Sequence, residues 1–273
     1  TVTAGTYAEF MDDQAWVEKQ AEVIKACLPS MLNRDHPDPA KRNGIMSLDS
    51  SRAGLTDEIT TYDSLDPSLG QSRENLYLAV KGWGAYLALE KLLTRLGETE
   101  MASEAKAAAQ RVAKTVVANF DEELGFIPAI MDGVDQSPIL PAIEGLIFPY
   151  WMGIKAAVSE TGPYGAMIKV LKLHFANILK PGLCLFEEGS WKISSHSVNS
   201  WVSKIFLCQY IAREILGFDF GEAGEIADRA HADWWRVGCA SCAAIDQIFA
   251  GTTAEVGFYY PRAVTNYLWL LES

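Results

Sequence analysis

Two carboxyl groups stand three residues apart in the segment Ile59-Thr60-Thr61-Tyr62-Asp63-Ser64-Leu65-Asp66-Pro67. Asp66 has a structural reading. Aspartate followed by proline is the pattern of a helix start, with the aspartate as N-cap and the proline at the first helical position. A capping carboxylate is held ionised by backbone N–H groups and is a poor proton donor near neutral pH. Asp63 lies outside that cap, beside Tyr62. A carboxyl against an aromatic ring in a cleft keeps its proton to higher pH, because desolvation disfavours the charged form, and a general acid needs that property. A solvated loop aspartate would have the same local sequence, and this segment alone leaves both readings open.

Glu144 sits in the apolar frame Pro141-Ala142-Ile143-Glu144-Gly145-Leu146-Ile147-Phe148. It is either a helix-start charge or a ligand-binding carboxylate. Arg262 follows Pro261 at a helix start, an unfavourable place for a cation, which favours a forked pair of hydrogen bonds to a ligand. Trp191, Trp201 and Tyr260 offer flat faces for a sugar ring, or they fill the core. Lys192 and Asp246 are surface charges by default. His36, His174, His196 and His231 do not cluster, and His174 lies inside a helix pattern as a structural residue. The lone Cys239-Ala240-Ser241-Cys242 has no second pair and reads as small residues in a helix connection.

Other chemistries lose their usual signals. The chain has no GxSxG, no phosphate-binding glycine loop, no HExxH and no calcium loop. Carboxylates and aromatics remain, and hydrolysis of a carbohydrate by a pair of carboxyl groups needs only those parts. The formal net charge of −12 over 273 residues argues against nucleic acid or an anionic membrane as partner. A composition of 49% hydrophobic and 21% charged residues is that of a globular protein. No apolar run reaches the roughly 18–20 residues of a membrane span. Five scattered cysteines, an odd number, argue against a disulfide framework and for a reducing, cytoplasmic compartment. The start Thr1-Val2-Thr3-Ala4 has neither an initiator methionine nor a signal-peptide pattern, so the chain reads as a piece of something longer.

The elements that must position these groups are helical. Apolar periodicity predicts helices over 14–31, 67–96, 101–119, 143–158, 164–180, 199–216, 222–236 and 261–271. In one of them Leu76, Ala79, Val80, Trp83, Leu87 and Leu89 recur mostly at the spacings of a single face. Gly125–Pro128 and Trp191–Ile193 read as small hairpin pieces in loops. The helices fall into hairpins whose first members start near 67, 143, 199 and 261. The polar-aromatic loops at those starts would share one rim if the hairpins closed into a toroid. The expected fold is one all-α domain, an (α/α)6 toroid incomplete on its N-terminal side. Helix 14–31 has no evident partner in that scheme.

The strings Asn33-Arg34-Asp35-His36-Pro37-Asp38-Pro39, Ile59–Asp66, Pro141–Gly145, Trp191–Ser195 and Tyr259-Tyr260-Pro261-Arg262 resemble the beta-xylosidases of glycoside hydrolase family 52. The resemblance runs in collinear order from about residue 28 to the C-terminus. It implies an N-terminal beta-sandwich followed by an (α/α)6 toroid, of which residues 1–273 would be the later part. It implies release of xylose from non-reducing ends with retention of configuration, and no cofactor or metal. The family's acid/base aspartate, in a Thr-Tyr-Asp motif, falls on Asp63, and the related bile-acid beta-glucosidases use theirs in the same way. The family's nucleophilic glutamate lies upstream, and nothing here matches its motif. The expected sugar-binding groups are Tyr62, Asp66, Glu144, Trp191, Lys192 and Arg262. The expected partners are a xylo-oligosaccharide or aryl beta-xyloside, the N-terminal portion of the same protein and a second copy in a homo-oligomer.

Two other readings fit the same residues. One is a helical carbohydrate-binding or scaffold module without catalysis. The other is an inverting hydrolase complete in this chain, with Asp63 as acid and Glu144 or Asp246 as base. Inverting pairs stand roughly 6.5–9.5 Å apart, against about 5–5.5 Å in retaining enzymes.

Overall fold

The computed structural model describes residues 1–47, 72–133, 135–197, 199–237, 247–249 and 266–272. For 199–201, 234–237, 247–249, 266, 267 and 269 the description is of the backbone alone. The fold is all-helical. The helices are α1 (Val2–Met11), α2 (Gln14–Lys19), α3 (Ala21–Asp35), α4 (Leu76–Arg95), α5 (Thr99–Ala118), α6 (Ile147–Trp151), α7 (Gly165–Ile178), α8 (Val202–Tyr210) and α9 (Gly221–Val237). Short 3-10 stretches cover Pro39–Lys41, Leu140–Leu146, Lys155–Val158 and Asn266–Leu271. Three-residue strands β1 (Asn199–Trp201) and β2 (Gln247–Phe249) pair antiparallel, Ser200 opposite Ile248.

The hairpin α4–α5 is the centre of the packing. α4 is buried nearly all round, from Leu76 and Tyr77 through Trp83 to Leu92 and Leu93. Its neighbour presents a stripe of small residues, Ala102, Ala105, Ala108, Ala109, Val112, Ala113 and Val116, at helical spacing. Small side chains let the two helices approach closely along their whole length. The turn between them is a Schellman ending. Gly97 takes φ 75° while Glu98 N donates to Leu93 O at 2.9 Å and Gly97 N to Thr94 O at 3.1 Å.

The 3-10 stretch Leu140–Leu146 lies across α4 at backbone contact. A Cβ on Gly145 would come within 2.3 Å of Val80 O, so only glycine allows this approach. Every residue of that stretch is buried, Glu144 included. It also packs against α7 and α8, which makes it the junction of three helices. His174 on α7 secures the preceding loop. Ile127 N donates to its Nδ1 at 3.1 Å and Ile139 O faces its Nε2 at the same distance, so the imidazole is neutral with its proton on Nε2. Burial pushes His174 down to about 4, in keeping with the structural role its helix pattern indicates.

Several boundaries differ from the sequence expectation. The region 14–31 is two helices broken at Gln20, and α1 precedes them unannounced. Only Gly5 and Ala8 of α1 are buried, too few to make an apolar face visible in sequence. The unpartnered first helix does have partners: α3 packs on α4 and α5. The helix expected from 67 begins at Leu76, capped by Asn75, whose Oδ1 accepts from Leu78 N at 3.2 Å. Asp66 and Pro67 lie outside the described residues. The expected helix 143–158 is interrupted, because Gly153 takes φ 74° between α6 and the next 3-10 turn. α8 runs into a π-helical turn, Ile211–Ile215, instead of continuing as α-helix. The two loop hairpin pieces are present as single bridges, Asp121 with Phe126 and Leu185 with Trp191. Among the described residues no helix is long and apolar enough to cross a membrane, and Cys27, Cys184 and Cys208 are free thiols.

Candidate functional site

Glu144 is 2% exposed, and its Oε2 accepts from Lys204 Nζ at 2.7 Å. Lys204 lies on α8, near the start of that helix. The same ammonium reaches the Tyr77 hydroxyl at 3.3 Å. Lys81, one turn along α4 from Tyr77, donates to that hydroxyl at 2.6 Å. Lys81 Nζ also stands 4.9 Å from the centre of the Tyr77 ring and 6.0 Å from that of Phe148. Three elements thus bring one carboxylate, two ammonium groups and a phenol together.

The electrostatics of the two lysines differ. Burial alone would lower Lys204, but Glu144 and the Tyr77 hydroxyl outweigh it and hold the ammonium charged above its usual range. Lys81 is pushed down, first by burial and then by the charge of Lys204, which Glu144 only partly offsets. The Tyr77 phenol is raised by burial and by Glu144, so it stays a neutral donor and acceptor at any physiological pH.

The chain leading into α4 is braced on both sides. Glu74 N donates to Met46 O at 2.7 Å, Met131 N to Glu74 O at 2.9 Å and Leu76 N to Ala129 O at 2.9 Å. Glu74 itself takes φ 52°, an uncommon conformation for a side-chain-bearing residue, held by these bonds. Burial and Asp132 raise its carboxyl, and Arg73 opposes them. The chain therefore enters α4 through a fixed point at Glu74, three residues before Tyr77.

Trp191 is 2% exposed and belongs to a separate aromatic cluster. Its ring meets Phe175 at 5.6 Å, Phe220 at 5.5 Å and His231 at 6.1 Å, all steeply inclined. Its backbone N–H donates to His231 Nε2 at 2.9 Å. His231 is fully buried and pushed down to about 3 by burial and the charge of Arg213. In this structure Trp191 is a core residue, the alternative that its sequence left open. Lys192 donates to Ser195 O at 2.9 Å, with its ammonium 5.2 Å from the Phe186 ring centre. Tyr62, Asp63, Asp66, Asp246, Tyr260 and Arg262 lie outside the described residues, as does the side chain of Trp201. Among the described residues no group of histidine, cysteine and carboxylate side chains could hold a metal ion.

Among the described residues, Glu144 is the expected sugar-site residue that lies inside a polar cluster. Its companions Tyr77, Lys81 and Lys204 were missed. One signal was available: Lys81 interrupts the apolar run Leu76-Tyr77-Leu78-Ala79-Val80-Lys81-Gly82-Trp83.

No family model matches the chain. It is 50% identical over 270 residues to a beta-xylosidase of Geobacillus stearothermophilus, an alignment covering 98% of this chain and 38% of that protein. A second beta-xylosidase from the same organism is 39% identical over 104 residues, which is 37% of this chain and 16% of the relative. The chain is related along nearly its whole length to one part of a beta-xylosidase.

Proposed function

We propose that this chain is the C-terminal part of a retaining exo-beta-xylosidase of glycoside hydrolase family 52, and that Asp63 is its general acid/base. The 50% identity over 270 residues carries the reading, joined to the Thr-Tyr-Asp segment at Thr61–Asp63. The helices are the later hairpins of an (α/α)6 toroid. The substrate is a short xylo-oligosaccharide or an aryl beta-xyloside.

Asp63 gives its proton to the glycosidic oxygen as the bond from that oxygen to the anomeric carbon breaks. A glutamate from the upstream portion of the protein forms the new bond to the same carbon. In the second step Asp63, now ionised, takes a proton from water as the water oxygen displaces that glutamate, so xylose leaves with its configuration retained. Tyr62, Asp66, Glu144, Lys192 and Arg262 bind the sugar. The Lys204 contact fixes the Glu144 carboxylate at a junction of three helices and suits it to accept a sugar hydroxyl. That engagement favours binding over the base role that an inverting mechanism would give Glu144.

The test is Asp63→Ala in the polypeptide extended upstream by its own coding sequence. Release of a poor leaving group should slow by about 100- to 10,000-fold, the usual scale of general acid catalysis. An activated aryl xyloside, which hardly needs protonation, should lose less in its first step. Azide should restore turnover and give the xylosyl azide of retained configuration. Equal losses on both substrates with no rescue by azide would remove the role from Asp63.

A further inference from the structure

We propose that Lys81 is a sugar-binding residue, whose ammonium, docked on Tyr77 beside the Glu144–Lys204 pair, donates hydrogen bonds to ring hydroxyls of the bound pyranoside. The inference rests on the beta-xylosidase reading and extends it to a residue outside the expected site.

Lys204 is explained by Glu144, its carboxylate partner at 2.7 Å. Lys81 has no carboxylate of its own among the described residues. Its acceptor there is the neutral hydroxyl of Tyr77, at 2.6 Å. An ammonium carries three N–H donors, so two are left for an acceptor that is neither backbone nor side chain of the described residues. The position is costly for a cation, since burial and Lys204 both disfavour its charge. Methionine would cover the rings of Tyr77 and Phe148 as well, without that cost. An ammonium held where burial disfavours its charge, with a neutral hydroxyl and two aromatic rings as its partners among the described residues, is suited to a ligand.

The chemistry of the ligand follows from the cluster. A hydroxyl both donates and accepts, and Glu144 and Lys81 supply an acceptor and a donor around one phenol. Phe148, half-buried, adds aromatic surface against which the apolar face of a sugar ring can rest. Lys81 is partly exposed, so a ligand can reach its ammonium.

The test compares Lys81→Met and Lys81→Arg with the unsubstituted protein, extended upstream as above. The measurements are KM for an aryl beta-xyloside, the inhibition constant of free xylose and the melting temperature. Lys81→Met should weaken both constants about 10–100-fold, the value of a hydrogen bond to a charged group, while melting stays the same or rises. Lys81→Arg, which keeps the charge and donors, should recover part of the binding. Unchanged constants in Lys81→Met would overturn the assignment while leaving the xylosidase reading intact. A lowered melting temperature with unchanged constants would make Lys81 structural. No turnover by the unsubstituted protein would overturn the xylosidase reading, and the Lys81 assignment with it.

Discussion

At the scale of single residues, the Glu144–Lys204 contact is a buried ion pair whose loss should be costly. Glu144 is almost fully buried, and about a quarter of the Lys204 side chain reaches solvent, at 24% exposure. Replacing Glu144 by glutamine keeps the shape and removes the charge. Lys204 is then left as a largely buried cation facing an amide. Breaking a buried pair costs about 3–5 kcal/mol, and the partial exposure of Lys204 puts Glu144→Gln near 3 kcal/mol. Urea unfolding of the two proteins measures this. A difference below about 1 kcal/mol would show that solvent already screens the pair. The sign with pH follows from Lys204. Its folded value lies above the unfolded one, so its contribution is complete below the ordinary lysine range and fades as pH rises through the folded value. Sequence showed that Glu144 is unusual, because a carboxylate inside Pro141–Phe148 is out of place. It did not show the partner, which comes from another helix 60 residues away. Trp191 illustrates the converse: an aromatic residue can stack on a sugar ring but more often fills the core, and the packing of Phe175 and Phe220 around it shows the core reading here.

At the scale of elements, the close crossing of Leu140–Leu146 over α4 sets where Glu144 stands. Gly145 is the residue that permits it. Gly145→Ala would push a methyl into the Val80 carbonyl, 2.3 Å from the ideal Cβ position, and neither backbone can move without shifting Glu144. We expect a loss of about 1–3 kcal/mol. Gly82→Ala on the same helix is the control, since none of the described residues lies within 4 Å of its Cβ. It should be neutral or gain up to about 1 kcal/mol from reduced chain entropy. Equal effects of the two substitutions in thermal melts would refute the close-approach argument. The long helices α4, α5, α7 and α9, apolar at helical spacing, were legible in the sequence to within a few residues at most ends. The failures have local causes. The start of α4 was misplaced because Asp66-Pro67 carries a stronger helix-start signal than Ser72-Arg73-Glu74-Asn75, although Asn75 makes the observed cap. The segment 143–158 kept apolar periodicity through residues whose backbone leaves the α-helix at Gly153.

At the scale of the whole molecule, the chain spans 38% of the Geobacillus beta-xylosidase that it matches. The account makes catalysis a property shared between these helices and an upstream portion. In the proposed mechanism Asp63 would supply the proton from one side, and the nucleophile would approach the anomeric carbon from the other. Without the opposing carboxylate the oxocarbenium-like transition state is unstabilised on that face, and no covalent intermediate forms. The measurement that tests this most directly is hydrolysis of an aryl beta-xyloside by the purified 273-residue chain, alone and joined to its upstream portion. The account predicts no turnover by the chain alone, and turnover with retained configuration by the extended protein. Robust turnover by the chain alone, abolished by Asp63→Ala, would contradict it, because a complete pair of catalytic carboxyls would then lie within these residues.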